Sequence, residues 1–150
     1  MNNPFSIYLK PAVLLLTGLF FLISLLGLAD ATYLTVAHYR AGSPGCVLIE
    51  GCDLVTTSVY SMLGPIPVAL LGIFYYATIF VLSLLFATTQ KIRLFRLLCF
   101  LTPLGFLASL WFVYLQLSVL DAICLYCMGS ALSSTLLFIF GMIGIRYHRS

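Results

Sequence analysis

The sequence predicts an all-α membrane protein: a four-helix transmembrane bundle with an outer loop and a short interfacial helix between spans 1 and 2. Three observations predict it. First, 63% of the 150 residues are hydrophobic and only 7% are charged, which excludes both a soluble domain with a charged surface and a disordered chain. Second, four apolar runs lie at about 12–36, 65–87, 95–117 and 122–145, each near the roughly 20 residues that a helix needs to cross a bilayer. Third, the basic residues segregate to one side of that model. Four spans consume most of the chain and leave no room for a separate soluble domain, so residues 1–150 read as a single integral membrane domain.

The first run follows a short polar stretch ending in Lys10 and is broken only by small or hydroxyl residues and by Asp30. Ala29-Asp30-Ala31 resembles a processing site, but the apolar stretch is long for a signal-peptide core. Asp30 is expected near the outer end of this helix, where an acid either lines a pocket or snorkels to the interface. The polar loop from His38 to Gly64 carries Cys46 and Cys52. In the stretch Asp53 to Leu63, Val55, Val59 and Met62 recur at helical spacing, which predicts an amphipathic helix on the membrane surface. Gly64-Pro65-Ile66-Pro67 is expected to end that helix and open the second span, because proline is tolerated in a first turn.

A basic connection with Lys91, Arg93 and Arg96 follows the second span. The third span places Trp111 and Tyr114 for the outer aromatic belt. Asp121 is expected to cap the last helix. Cys124 and Cys127 then share one face of its first turns, at a spacing that a disulfide can close. A helix N-terminus stabilises a thiolate, so one of the two is expected to have a depressed pKa, with Asp121 opposing.

Charge placement orients the model. Lys10, Lys91, Arg93, Arg96, Arg146 and Arg149 fall on one side; only Arg40 falls on the other, with Glu50, Asp53 and Asp121. The positive-inside rule puts both termini in the cytoplasm. Cys46, Cys52, Cys124 and Cys127 then lie on the opposite, oxidising side. Cys99 lies toward the inner end of the third span and reads as a small core residue. Three readings of the outer cysteines compete. They are a redox relay, a pair of structural staples, or four ligands to one zinc ion. A CxxC at a helix start favours exchange, and the spacing of Cys46 and Cys52 is wider than a zinc knuckle's.

The order of motifs adds a resemblance. Cys46 and Cys52 in the outer loop, Ser58 six residues on, Gly64-Pro65-Ile66-Pro67 and Cys124-Leu125-Tyr126-Cys127 together resemble the vitamin K epoxide reductase family, and more closely its bacterial members. The match covers nearly the whole chain. The resemblance implies a four-helix bundle around a quinone in the bacterial inner membrane, with the active site facing the periplasm. It implies electron flow from a thioredoxin-like partner to the loop pair, then to the CxxC pair, then to quinone. These 150 residues carry no fused thioredoxin-like domain, so the partner is expected to be a separate DsbA-like thioredoxin-fold protein.

Roles follow from the same resemblance. Cys46, the more exposed by position, forms the mixed disulfide with the partner. Cys52 exchanges with Cys124, and Cys127 faces the quinone. Ser58 offers a hydroxyl beside the quinone ring, against the plainer reading of a serine bonded to its own backbone. Vertebrate members hold vitamin K with an Asn and a Tyr where this chain has Val68 and Ala131. That favours an ordinary respiratory quinone, ubiquinone or menaquinone, over epoxide reduction. The unrelated DsbB-type oxidases carry their CxxC in the first outer loop and the wider pair in the second, the reverse of this order. A non-enzymatic stapled or metal-binding membrane protein is the third class.

Overall fold

The computed structural model describes residues 11–40 and 51–149. Four long helices form the body: α1 (Pro11–Tyr39), α3 (Val68–Thr89), α4 (Ile92–Ser118) and α5 (Leu125–Arg149); the short α2 (Cys52–Thr57) precedes α3. All four long helices are long and apolar enough to cross a membrane. In hydrocarbon every backbone polar group needs an internal partner, and a helix supplies those partners locally. The chain is a multi-pass, all-α membrane protein.

Helix α1 packs against α3 and α5, and α4 packs against α5 and α3, which closes a four-membered ring. Unlike a soluble bundle, it is apolar outside as well as inside, with a few hydroxyls buried in the core. Leu15, Leu26, Phe100, Leu104 and Leu132 face outward, whereas Thr17, Ser24, Ser83, Thr102 and Ser134 are buried. The buried hydroxyls cost little, because they donate to carbonyls of their own helix: Thr17 to Val13 at 2.8 Å, Ser83 to Phe80 at 2.8 Å, and Thr102 to Cys99 at 2.8 Å.

Two apolar clusters lie at different depths. The larger one includes Phe20, Ile79, Phe86, Phe95, Leu98, Cys99 and Leu137. Phe86 and Phe95, with ring centroids 5.1 Å apart, close it beneath the α3–α4 turn. Cys99 is part of this packing. The second cluster, at the other end of the bundle, holds Cys52, Val55, Ala122 and Cys124.

The region before α3 differs from the sequence expectation. Helix α2 stops at Thr57 because Ser58 is extended, with ψ 156°. A 3₁₀ turn over Val59–Ser61 follows. Val55 is buried but Val59 is 84% exposed, so the expected apolar stripe is cut after its first member. Met62–Leu63 then pairs antiparallel with Ile66–Pro67. Gly64 takes φ +66° at the first turn position of that hairpin, a conformation that only glycine adopts without strain. The prolines therefore sit in a hairpin ahead of the second span, which starts at Val68 rather than Pro65.

Candidate active site

The C-terminal end of α4 builds the seat for the CxxC pair. Past Ser118 the chain folds back on its last helical turn: the N–H of Leu120 donates to Leu115 O at 2.9 Å, and that of Ala122 to Gln116 O at 3.2 Å. The Gln116 side chain completes the seat. Its Oε1 accepts the backbone N–H of Cys124 at 2.9 Å, and the residue is 2% exposed. A buried N–H without that acceptor would cost about 1–3 kcal/mol. Gln116 was not anticipated, although it is the only amide in the α4 run, and a lone amide in a span calls for a buried partner.

Asp121 does not cap the last helix. It takes the left-handed conformation at φ +47°, within the turn. The first helical residue is Leu125, and the N–H of Met128 bonds to Cys124 O at 3.0 Å, so Cys124 holds the N-cap position. Its sulfur does what a serine oxygen does there: the Cys127 N–H donates to Cys124 Sγ at 3.4 Å. The Cys124 thiol is held down to about 7. The hydrogen bond from the Cys127 side chain is the main cause, backbone N–H groups of Cys127 and Tyr126 assist, and burial and the Asp30 charge oppose them.

Alkylation gives a direct check on that environment. Below the midpoint Cys124 is protonated and slow; above it the thiolate reacts. The iodoacetamide rate at Cys124, resolved by peptide mass spectrometry on reduced protein, is expected to rise about a midpoint near 7. A midpoint near 9, the value of an ordinary thiol, would contradict the capped geometry.

Cys52 is brought to this seat. Cys52 is 1% exposed and Cys124 0%, and they belong to one cluster. The approach depends on Gly51, where an added Cβ would lie 2.6 Å from Ile123 O and 2.9 Å from Ile123 N. Cys52 is disulfide-bonded, whereas Cys99, Cys124 and Cys127 are free thiols. Cys46 lies outside the described residues. Ser58 is half-buried and donates its hydroxyl to Val55 O at 2.8 Å. Among the described residues no three His, Cys, Asp or Glu side chains gather as a metal site.

Around the pair, two tyrosines tie the helices together. Tyr33 of α1 meets Tyr126 with ring centroids 4.9 Å apart. Tyr76 of α3 is 2% exposed, and its hydroxyl donates to Ser130 O at 2.8 Å across the bundle. Neighbouring Tyr75 leaves its buried hydroxyl without a hydrogen-bond partner, as does Asp30 at Oδ2.

The vitamin K epoxide reductase family model matches residues 18–142. The chain belongs to that family. No curated protein matches it. Membership in the vitamin K epoxide reductase family makes this a membrane oxidoreductase of the thiol–disulfide and quinone kind. Proteins of this family work in general with quinones and with thioredoxin-like partners.

Proposed function

We propose that this family member is a thiol:quinone oxidoreductase that reoxidises a separate DsbA-like thioredoxin-fold protein and so supports disulfide bond formation. The observation that carries the reading is the burial of disulfide-bonded Cys52 in one cluster with the free thiol of Cys124. Thiol–disulfide exchange needs sulfur next to sulfur.

The steps balance as exchanges. The partner's dithiol reduces the Cys46–Cys52 disulfide through a mixed disulfide at Cys46, and the partner leaves as a disulfide. The Cys52 thiolate attacks Cys124 of an oxidised Cys124–Cys127 pair and releases the Cys127 thiolate. Cys46 then attacks Cys52 and releases Cys124. The loop disulfide is restored, and two electrons rest on Cys124 and Cys127. A quinone, ubiquinone or menaquinone, accepts two electrons and two protons when bound.

The residues fit a quinone. Tyr75 offers a buried hydroxyl without a partner, which suits a ring carbonyl, and the surrounding bundle is apolar. Ser58 and Cys127 are the residues assigned to hold it; the Ser58 hydroxyl, now donating to Val55 O, would turn to donate to a ring carbonyl. Lys91, Arg93 and Arg96 are exposed at the α3–α4 turn, and Asp53 and Asp121 are exposed at the other end. By the positive-inside rule this charge distribution supports a bacterial inner-membrane protein with that turn and both termini in the cytoplasm and the cysteines in the periplasm.

The test mixes purified chain with a reduced DsbA-like protein and a short-chain ubiquinone. One hydroquinone is expected per partner disulfide formed. Partner oxidation without quinone loss would sink the proposal.

A further inference from the structure

Asp30 is the one acid within the described transmembrane helices, and the relay above does not use it. Its Oδ2 is buried without a hydrogen-bond partner. A carboxyl in a span is costly, and a structural role would supply donors to both oxygens.

Its level in the bundle follows from its helical neighbours. Three residues inward, Gly27 lies against the Tyr76 ring, where an added Cβ would come within 2.3 Å of Cε1. Tyr76 in turn bonds Ser130 of α5. Three residues outward, Tyr33 meets the Tyr126 ring. The helices run in opposite directions, so Gly27, Asp30 and Tyr33 on α1 stand level with Ser130, Cys127 and Tyr126 on α5. The i and i+3 positions share a helix face, so Asp30 faces the turn of α5 that carries Cys127. The titratable groups within its electrostatic reach are Tyr76 from α3 and Cys124, Tyr126 and Cys127 from the start of α5.

We propose that Asp30 is the proton-relay group of the inner cysteine pair, taking the Cys127 thiol proton as the pair closes and passing it to the electron acceptor. This rests on the quinone-linked reading given above. When Cys124 thiolate and Cys127 thiol join in one S–S bond, they release two electrons and one proton. The Asp30 carboxylate takes that proton, becomes a neutral acid, and returns to carboxylate by giving the proton to an acceptor oxygen. The second proton that a hydroquinone needs comes from water and matches the one Cys124 had already lost. The described side chains at this level offer no other base, since Tyr76 is already donating its proton to Ser130.

The test uses the full chain in lipid nanodiscs, reduced at Cys124 and Cys127 and mixed with a short-chain ubiquinone in a single turnover. Asp30→Asn keeps the shape but cannot exchange the proton, and is expected to slow hydroquinone formation by at least about tenfold. Asp30→Glu is expected to recover part of that loss. Cys124 alkylation supplies a second readout. Removing the negative charge beside the thiolate favours it, so the Asp30→Asn midpoint is expected below the wild-type midpoint. A more available thiolate with slower turnover is the signature of a lost relay; damaged packing would impair both.

Wild-type rates in Asp30→Asn would overturn the relay and leave the quinone reading intact. An unmoved alkylation midpoint would also overturn it, because the carboxyl would not stand beside the pair. A wild-type protein that reduces no quinone at all would refute the quinone reading and the relay with it.

Discussion

Replacing Cys127 by serine is expected to lower turnover by at least about a thousandfold and to trap a disulfide between Cys52 and Cys124. Cys124 caps α5 in the same cluster as disulfide-bonded Cys52. Its thiolate attacks the Cys52 sulfur, forms the Cys52–Cys124 bond and releases the Cys46 thiolate. In the native chain Cys127, three residues along, undoes this adduct by attacking Cys124 and freeing Cys52, the reverse of the transfer step. Serine cannot do this, so the linked species accumulates. It joins the outer loop to the last helix, so cleavage between residues 64 and 121 should leave the fragments together until reductant is added. A non-reducing digest read by mass spectrometry decides. Cysteines linked only within the loop, with partner oxidation at the normal rate, would show that electrons do not pass this way.

The second large effect is expected from a single methyl group. In Gly51→Ala the new Cβ would lie 2.6 Å from the carbonyl oxygen of Ile123, and no backbone atom can swing aside as a side-chain tip does. Ile123 is also held in place, because the next N–H, that of Cys124, is bonded to Gln116. The start of α2 must therefore lift, carrying Cys52 with it. Overpacking of this kind costs about 1–3 kcal/mol. In the Cys127→Ser background, capture of Cys52 by Cys124 is expected to slow at least about tenfold, because exchange requires in-line contact of the sulfurs. In Gly51→Ala with Cys127 intact, the alkylation midpoint of Cys124 should stay near 7, since Cys127 and Tyr126 set it from within α5. Unchanged capture kinetics would mean that the Gly51–Ile123 contact does not govern transfer.

Much of the fold was legible because a membrane span is a local property. Each apolar run satisfies its own backbone as a helix, whatever its neighbours do. The four predicted spans accordingly appear in order, with ends displaced by a few residues. The surface helix was less legible. Its apolar spacing continues through Val59 and Met62, but the chain turns extended at Ser58 and forms a hairpin around Gly64. Spacing reports what a helix would bury, not where the chain stops being helical.

The cysteine motif was legible as a pair at a helix start, but its geometry was not. A short acidic residue three positions before Cys124 has the sequence signature of a cap. Instead, the N–H of Cys124 finds Gln116, eight residues upstream on another helix. That bond sets where α5 begins and makes the sulfur of Cys124 the cap.

Composition, run length and charge placement alone determined the four spans and which of their ends lie together. These are sums over single residues and short windows. Only the tertiary structure decided that Gly51 lets Cys52 reach Cys124, that Tyr76 spans from α3 to Ser130, and that Asp30 stands level with Cys127. Each depends on which helix faces meet. In a bundle whose helices are apolar on every side, that choice rests on small residues and a few buried polar groups, which hydrophobic patterning does not register.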